Sequence, residues 1–491
     1  MQKTIVIIGG GIAGLSAAYR LQQVAGDHLH LILLEAGDRW GGKIATDRRD
    51  GFVIEGGPDT FLRSKPWGVG LCRELGLEDR LHGTNPVHKN TYVLYHDHLR
   101  PLPEGLAMMV PSQVAPMART ALLSWPAKLR MGLDLLIPPK PLNGDESLGA
   151  FVSRRLGRSA YENLIEPLMS GIYAGDGDQL SLQATFPYLR EMELKHGSLV
   201  RGALAARQKQ AGSQTSTPAS ANRSVFLTPT TGLAEIVEAL LARLQAGGAD
   251  LFLNTPVRRI LLLDPTHRAY GIELEDGRCL AADGLILAAP AYRSAEMLSD
   301  LDPALAAELQ AIPYVSTATV SLAFAQSDLP RPLDGYGYVI PRREGRRALA
   351  CTWTSTKFPH RAPEGYALLR VFVGRAGQEQ DIPWDDAGLL ELARQELRQT
   401  LGIAARERFA CVYRWERAMP QYNLGHPARL QRIDAALQRW PALRLAGNGY
   451  RGIGIPDCIH SGEDAARALL AALQLAVPHG ASGSLYRQLK G

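Results

Sequence analysis

The chain has 491 residues with a formal net charge of +5, 46% hydrophobic and 21% charged residues. That balance excludes an integral membrane protein and a disordered one, and it leaves room for two or three domains. The charge forms no long basic run, which argues against nucleic acid as a partner while allowing a local cationic pocket for an anionic substrate. Thr4-Ile5-Val6-Ile7-Ile8 reads as a buried strand, Gly9-Gly10-Gly11-Ile12-Ala13-Gly14 as a G-x-G-x-x-G turn, and Leu15 to Leu21 as a helix. Gly9 permits the tight turn, Gly11 lets backbone approach a pyrophosphate, and Gly14 lets helix and strand pack closely. The pyrophosphate would sit at the helix N-terminus, where free N–H groups and the dipole favour negative charge. A second strand, Leu29 to Leu34, ends in Glu35, placed to accept hydrogen bonds from ribose hydroxyls about 20 residues on. The pattern is that of a dinucleotide-binding unit.

A second glycine cluster follows at once. Glu35-Ala36, Arg39-Trp40-Gly41-Gly42-Lys43 and Glu55-Gly56-Gly57-Pro58-Asp59-Thr60 are not expected of a nicotinamide dehydrogenase. They resemble the E-x-x-x-R-x-G-G-[RK] signature of flavoproteins such as amine oxidases and phytoene desaturases, and the resemblance implies FAD. Residues 96–200 carry helical periodicity broken by prolines. Leu106 to Pro111 and Leu122 to Pro126 are largely apolar, the second close to Lys128 and Arg130, a mix suited to a bilayer surface, a partner or a core-facing helical unit. Residues 205–222 have little to bury and read as a mobile loop.

Further along, a helix is expected from Thr230-Thr231-Gly232-Leu233 to Leu244, and one strand from Leu251 to Ile260. Gly271–Leu274 and the apolar run Gly284–Pro290 complete a sheet, the latter as a buried parallel strand. Residues 310–425 look strand-rich at Thr317–Phe324 and Ala367–Val373, forming the sheet of a substrate domain. Leu443–Gly447 reads as a strand, and Gly452-Ile453-Gly454-Ile455-Pro456-Asp457 opens a helix to Leu473. In the flavoproteins resembled, this helix returns to the flavin, so its N-terminus would favour negative charge on the ring. Backbone at the Val257 position meets the adenine there.

Cys72, Cys279, Cys351, Cys411 and Cys458 are scattered without a C-x-x-C, so neither a disulfide framework nor a zinc site is expected. A reducing cytoplasm is the simplest setting. The first strand begins too early for a signal peptide, and no run of 18 apolar residues is present to span a bilayer.

Several internal segments match one family. Leu164-Ile165-Glu166-Pro167-Leu168-Met169-Ser170-Gly171-Ile172-Tyr173-Ala174-Gly175-Asp176 is the first of them, and Ala350-Cys351-Thr352-Trp353-Thr354 with Phe358-Pro359-His360 the second. Met419-Pro420-Gln421-Tyr422 with Gly425-His426, Gly454 to Ile459, and Gly57 to Leu62 complete the set. Together they resemble the oxygen-dependent protoporphyrinogen and coproporphyrinogen III oxidases of haem biosynthesis, from the first strand to the last helix. The resemblance implies an α/β fold: a Rossmann-type FAD domain of the p-hydroxybenzoate-hydroxylase and amine-oxidase kind, an α+β substrate domain, and a helical subdomain that faces a membrane. The corresponding boundaries are 1–60, 225–300 and 440–475 for the FAD domain, 61–95 and 301–439 for the substrate domain, and 96–200 for the helical subdomain.

Eukaryotic-type protoporphyrinogen oxidases carry an Arg where this chain reads Lys89-Asn90-Thr91-Tyr92. That departure, with the Cys351-Thr352-Trp353 and Pro420-Gln421-Tyr422 segments, points to the Gram-positive branch and to coproporphyrinogen III. The implied reaction removes six electrons in three hydride transfers to flavin N5, with dioxygen as acceptor and hydrogen peroxide as product. Porphyrinogens aromatise readily, so no catalytic base, nucleophile or metal is assigned. The substrate's propionates call for cations or backbone donors. Lys65 is the substrate-binding candidate, with Lys195 and His196 behind it, while His360 and His426 read as structural. The cofactor-binding candidates are Gly9, Gly10, Gly11, Ile12, Ala13, Gly14, Glu35, Ala36, Arg39, Gly42, Lys43, Gly57, Pro58, Asp59, Thr60, Val257, Trp415, Gly452, Ile453 and Gly454. Peripheral membrane contact and a haem-pathway enzyme are the candidate partners beyond substrate and oxygen. Rival readings are the same oxidation of protoporphyrinogen IX, an amine oxidase or desaturase on the same fold, and a porphyrin carrier that retains flavin structurally.

Overall fold

The structure, a computed structural model, describes residues 2–107, 110–111, 113–141, 144–212, 224–264 and 269–475. Strand β1 (Lys3–Ile8), helix α1 (Ile12–Ala25) and strand β2 (Leu29–Leu34) open the chain. β1 lies at the centre of a five-stranded sheet, flanked by β2 and Asp250–Phe252 on one side and by Gly284–Leu287 and Leu443–Leu445 on the other. Every pairing in this sheet is parallel, and Ile5, Val6, Ile7, Leu285, Ile286 and Leu287 are fully buried. Continuous apolar strands of this kind are covered on both faces. One cover is the helix Ile455–Ala472, packed so tightly on α1 that a Cβ at Gly462 would stand 2.1 Å from the Ala13 carbonyl oxygen. The sheet is thus assembled from three distant parts of the chain.

The single strand expected over Leu251–Ile260 is two. Asp250–Phe252 joins the parallel sheet, whereas Val257–Asp264 pairs antiparallel with Ala269–Leu274 in a separate three-stranded sheet. Asn254, with φ of +51°, turns the chain between them. The run of β-branched and apolar residues concealed this break, because Asn tolerates the left-handed region without a glycine to announce it.

The second large sheet has seven strands. Its edge and centre are β3 (Tyr314–Ala325), β4 (Tyr366–Val373) and β5 (Phe409–Pro420), with β3 paired to both others. Side chains alternate across β4. Leu369, Val371 and Val373 pack against the helix Asp386–Leu401 through Leu389, Ala393 and Leu397. Leu368 faces the other way, with Phe52 and Ile54 of the hairpin Thr46–Glu55. That second face also carries Arg370, and it meets the parallel-sheet domain.

Phe61, Leu71, Leu75, Leu77 and Leu81 belong to the core of the parallel-sheet domain, as do Leu305, Leu309, Leu430 and Ile433. The helix Pro66–Glu74 packs on Ile455–Ala472, so 61–81 does not share the core behind the seven-stranded sheet. A third core gathers Phe151, Leu164, Met169, Leu189 and Leu199 in the helical region. There Arg155 and Asp134, both fully buried, pair at 2.6 Å, and Ser198 adds a hydroxyl to the same carboxylate. Two expectations change in this region. Leu106–Ala107 and Val110–Pro111 form a short antiparallel pair rather than a helical turn. Residues 205–212 continue the helix Leu199–Gly212 instead of starting a loop, and 213–222 lie outside the described residues. Leu199 and Ala203, buried on one helical face, anchor the first turns of this helix in the third core.

Candidate cofactor site

The site begins where β1 meets α1. Gly9 has φ of +113°, and a Cβ there would lie 2.8 Å from the Ala288 backbone. A Cβ at Gly14 would stand 2.0 Å from the Gly9 oxygen. Gly11 has no side-chain cap to offer and the first turn of α1, with Ile12 and Ala13 buried, holds no acidic residue. Its N–H groups are therefore available to an anion. Across this turn runs the second glycine cluster. Gly41 N–H donates to Gly10 O at 2.8 Å, and a Cβ at Gly42 would come within 3.1 Å of Gly11 Cα. Arg39 ties the crossing down by donating to Ile44 O at 3.0 Å and to Gly42 O, with its guanidinium 5.7 Å from the Trp415 ring centroid.

Glu35, at the end of β2, accepts from Gly10 N–H at 2.7 Å and from Gly37 N–H at 2.8 Å. Ala36 is exposed beside it. Thr255 N–H donates to Glu35 O and Asn254 N–H to Gly37 O, both at 2.9 Å, so the segment leading to Val257 is drawn to the end of β2. The corner after Asn254 thus brings Val257 into the neighbourhood of Glu35.

The loop Gly56-Gly57-Pro58-Asp59-Thr60 lies against Lys43: a Cβ at Gly57 would be 1.8 Å from the Lys43 carbonyl oxygen. Burial pushes the Lys43 ammonium below the usual lysine range. From the other side, the seven-stranded sheet grips the loop. Thr319 Oγ1, Arg370 Nη2 and Trp415 Nε1 all donate to Gly56 O, each at 2.9 Å. Lys357 Nζ donates to Asp59 at 3.0 Å, and Arg361 pairs with Glu55 at 2.8 Å, both members of the latter pair almost wholly buried. Burial alone would raise the Asp59 carboxyl, but Lys357, Arg370 and Arg361 outweigh it and hold it at about 2. Thr60 Oγ1 donates to Asp59 as well, at 3.2 Å.

Helix α2 (Ile455–Ala472) closes the site from the C-terminal end. Gly452, with φ of +125°, leads to Ile453 and to Gly454 at the N-cap, and Gly454 N–H donates to Asp457 at 3.2 Å. Tyr422 OH accepts from Gly452 N–H at 2.8 Å and donates to Asn448 O at 2.6 Å, which holds the turn in place. Lys65 Nζ reaches both carboxylate oxygens of Asp457 at 2.6 Å. Lys65 is therefore joined to the turn that carries Gly452 and Gly454, although nearly 400 positions apart in sequence.

The other candidates lie elsewhere. Lys195 and His196 end the helix Pro187–His196. His426 is fully buried, stacked 4.3 Å from Tyr422, with Nε2 at 2.9 Å from Tyr450 O. His360 packs against His82 at 4.5 Å, and burial together with the neighbouring Arg361 pushes it down to about 4. Both are structural histidines kept neutral by burial. Among the described residues no group of three His, Cys, Asp or Glu side chains could hold a metal. Sequence reasoning missed Arg370, Thr319 and Lys357, and gave Asp457 no role. The one available signal was Arg370 itself, a charge within the otherwise uncharged strand Tyr366–Val373.

The residues fit a flavin dinucleotide: an uncapped helix N-terminus, facing glycines where a Cβ would fill the space, an acid at the end of β2, and a second helix N-terminus with a lysine beside it. The family model for flavin-containing amine oxidoreductases matches residues 12–470. The chain is 39% identical to a coproporphyrinogen III oxidase of Bacillus subtilis (strain 168), covering 94% of this chain and 97% of that one. It is 31% identical to the human protoporphyrinogen oxidase, covering 96% and 99%. A solved structure described as a protoporphyrinogen oxidase from Exiguobacterium sp. 255-15 superposes with a TM-score of 0.84 at 34% identity, covering 96% of this chain and 99% of that chain. The fold is the α/β flavin-binding fold and the cofactor is FAD. The chain belongs to the flavin-containing amine oxidoreductase family, in the group of FAD-dependent enzymes that includes the coproporphyrinogen III and protoporphyrinogen oxidases.

Proposed function

We propose that this enzyme oxidises coproporphyrinogen III to coproporphyrin III, with dioxygen as the electron acceptor. The observation that carries the substrate choice is the higher identity to a coproporphyrinogen III oxidase than to the human protoporphyrinogen oxidase, 39% against 31%, at nearly full coverage of both. FAD, when bound, accepts hydride equivalents from a substrate and returns the electrons to dioxygen. The protein's part is to bind, orient and set the local field. Glu35 is the proposed acceptor for the ribose hydroxyls, the first turn of α1 the seat of the pyrophosphate, and Val257 the adenine-side contact. Gly42, Lys43, Gly57 to Thr60, Trp415 and Gly452 to Gly454 are the proposed surroundings of the flavin ring. The α2 N-terminus favours negative charge nearby.

Lys65 is the proposed propionate partner. Asp457 holds it in position, and a substrate carboxylate would share the ammonium, which has three donors. The test is porphyrin fluorescence formed aerobically from coproporphyrinogen III and, separately, from protoporphyrinogen IX, with peroxide followed in parallel. Coproporphyrin formed preferentially with matching peroxide supports the reading. Preference for the vinyl substrate moves the enzyme to a different step, and silence with both overturns it.

A peripheral contact with an anionic bilayer is a second proposal, resting on a separate observation. Trp125, Leu129, Leu133, Leu135 and Leu136 are exposed within a dozen residues. Between Glu104 and Asp145 the only carboxylate is Asp134, which is buried against Arg155, while Arg119, Lys128, Arg130 and Lys140 supply positive charge. An exposed apolar segment interspersed with cations and carrying no exposed acid of its own suits an anionic lipid surface. No helix among the described residues is long and apolar enough to cross a membrane. Co-sedimentation with anionic but not neutral vesicles, lost in Trp125→Ser/Leu129→Ser, is the expected result; equal behaviour of both proteins removes this contact. A cytoplasmic location with attachment at this face is the corresponding cellular reading.

A further inference from the structure

Beneath the Gly56–Thr60 loop the charges do not balance. Glu55 is paired with Arg361 and Asp59 with Lys357. Arg370 remains. It is 3% exposed, it forms no ion pair among the described residues, and its hydrogen bonds run only to Gly56 O and Gly57 O. Its Nε, like that of Arg361, has no partner among the described residues. Asp59 and Glu55 favour its charge from nearby without forming an ion pair, and the Phe372 ring lies 4.6 Å from the guanidinium carbon.

Burying an arginine without a carboxylate is costly, and the group stays protonated because its pKa starts so high. Packing does not demand it, since Leu368 and Phe372, flanking it on the same face of β4, are apolar. At Gly56 O hydrogen-bond satisfaction does not demand it either, whereas at Gly57 O it is the donor. Thr319 and Trp415 already supply two donors to Gly56 O, and a carbonyl has two lone pairs. At Gly56 O Arg370 therefore adds charge and polarisation rather than a missing bond, and at Gly57 O it adds the bond that ties the next peptide to the same cation.

The peptide it grips links the Glu55–Gly56 strand end to the glycine that touches Lys43. In a trans peptide the carbonyl and the following N–H point opposite ways. Gly56 O faces the sheet donors, so Gly57 N–H faces away from them, and it has no acceptor among the described residues. Donors converging on the carbonyl polarise that N–H.

We propose that Arg370 is a positioning residue for FAD: it fixes the Gly56–Gly57 peptide as an oriented donor towards the flavin and contributes the one positive charge by which Lys357, Arg361 and Arg370 exceed Glu55 and Asp59, a charge that favours the reduced, more negative form. The inference rests on the FAD site described above and not on the choice of porphyrinogen. Two-electron reduction of FAD with uptake of one proton leaves the ring system more negative by one charge, and a fixed cation lowers the energy of that state.

The test is the midpoint potential of bound FAD, measured by dye-equilibrated anaerobic reduction and the visible spectrum, with no porphyrinogen present. Arg370→Gln keeps an N–H donor for the carbonyls and removes the charge; the potential should shift negative at unchanged FAD stoichiometry. Arg370→Lys retains the charge and should return most of the shift. Equal potentials in wild type and Arg370→Gln overturn the proposal, as does an equal shift in Arg370→Gln and Arg370→Lys, which would mark a packing effect. Should Arg370→Gln fail to hold FAD, the comparison of Arg370→Lys with wild type decides: a large negative shift with the charge retained overturns it, and a near-wild-type potential supports it. A wild-type enzyme silent with both porphyrinogens would overturn the substrate reading and leave the potentials standing.

Discussion

The two sides of the cofactor site are built from opposite materials. On the side of the parallel sheet the site is backbone. Gly9, Gly14 and Gly42 clear space so that chains approach each other, and the chemistry is carried by N–H groups at the start of α1. On the side of the seven-stranded sheet it is side chain. Lys357, Arg361, Arg370, Thr319 and Trp415 reach out of β-structure and adjoining turns to hold one loop. The contrast teaches how the two halves fail. A steric site tolerates no added atom, whereas an electrostatic one depends on which charges remain balanced.

Breaking the steric half should have the largest effect. Gly14→Ala places a methyl 2.0 Å from the Gly9 oxygen, which should cost about 3 kcal/mol or more in strain and repacking. The expected outcome is little folded protein and no bound flavin, read as the 450 nm to 280 nm absorbance ratio. In the electrostatic half, Glu55→Gln leaves Arg361 buried without its partner, and should lower stability by about 3 kcal/mol in urea unfolding. A loss under about 0.5 kcal/mol would mean that Thr228 and the Asp59 carbonyl, the other acceptors of Arg361, suffice.

Lys65→Ala separates substrate binding from cofactor binding. We expect turnover to fall about tenfold, equivalent to about 1.4 kcal/mol, with flavin stoichiometry unchanged; unchanged kinetics would remove Lys65 from the substrate site. Asp59 gives the comparison a pH axis. Its carboxyl ionises at about 2 in the folded protein against an ordinary value of 3.8. The stabilisation is therefore complete above pH about 4 and disappears as pH falls towards about 2. The urea midpoint of wild type should fall more steeply across that window than that of Asp59→Asn; parallel slopes would show that Lys357 contributes nothing through this charge. The smallest effect belongs to Arg48→Ala. Its pair with Glu238 is 2.7 Å long but exposed on both sides, so stability should change by no more than about 0.5 kcal/mol.

Residue patterns made much of the fold legible. The strand, turn, helix and strand up to Glu35 stand as expected, as do β3, β4 and α2. Each is marked by local chemistry: an apolar run, a glycine spacing, or β-branched alternation. Errors fell where local signals are ambiguous. The break at Asn254 lacked a glycine, and Leu106 to Pro111 is apolar enough to suit either a helix or a hairpin. The helix that continues to Gly212 is anchored at its start by Leu199 and Ala203, while the polar composition of 205–212 gave no apolar signal for helix.

What the amino-acid order determined by itself is the dinucleotide turn and the acid that follows it, because glycine sterics and the hydrogen bonds of a helix end act over a few residues. Tertiary structure alone decided that Lys65 meets Asp457, that Thr255 binds Glu35, and that Arg370, with no ion pair among the described residues, sits beneath Gly56. These are contacts between elements far apart in the chain. Their energies depend on burial and on the distance between charges, and neither exists until the sheets have packed.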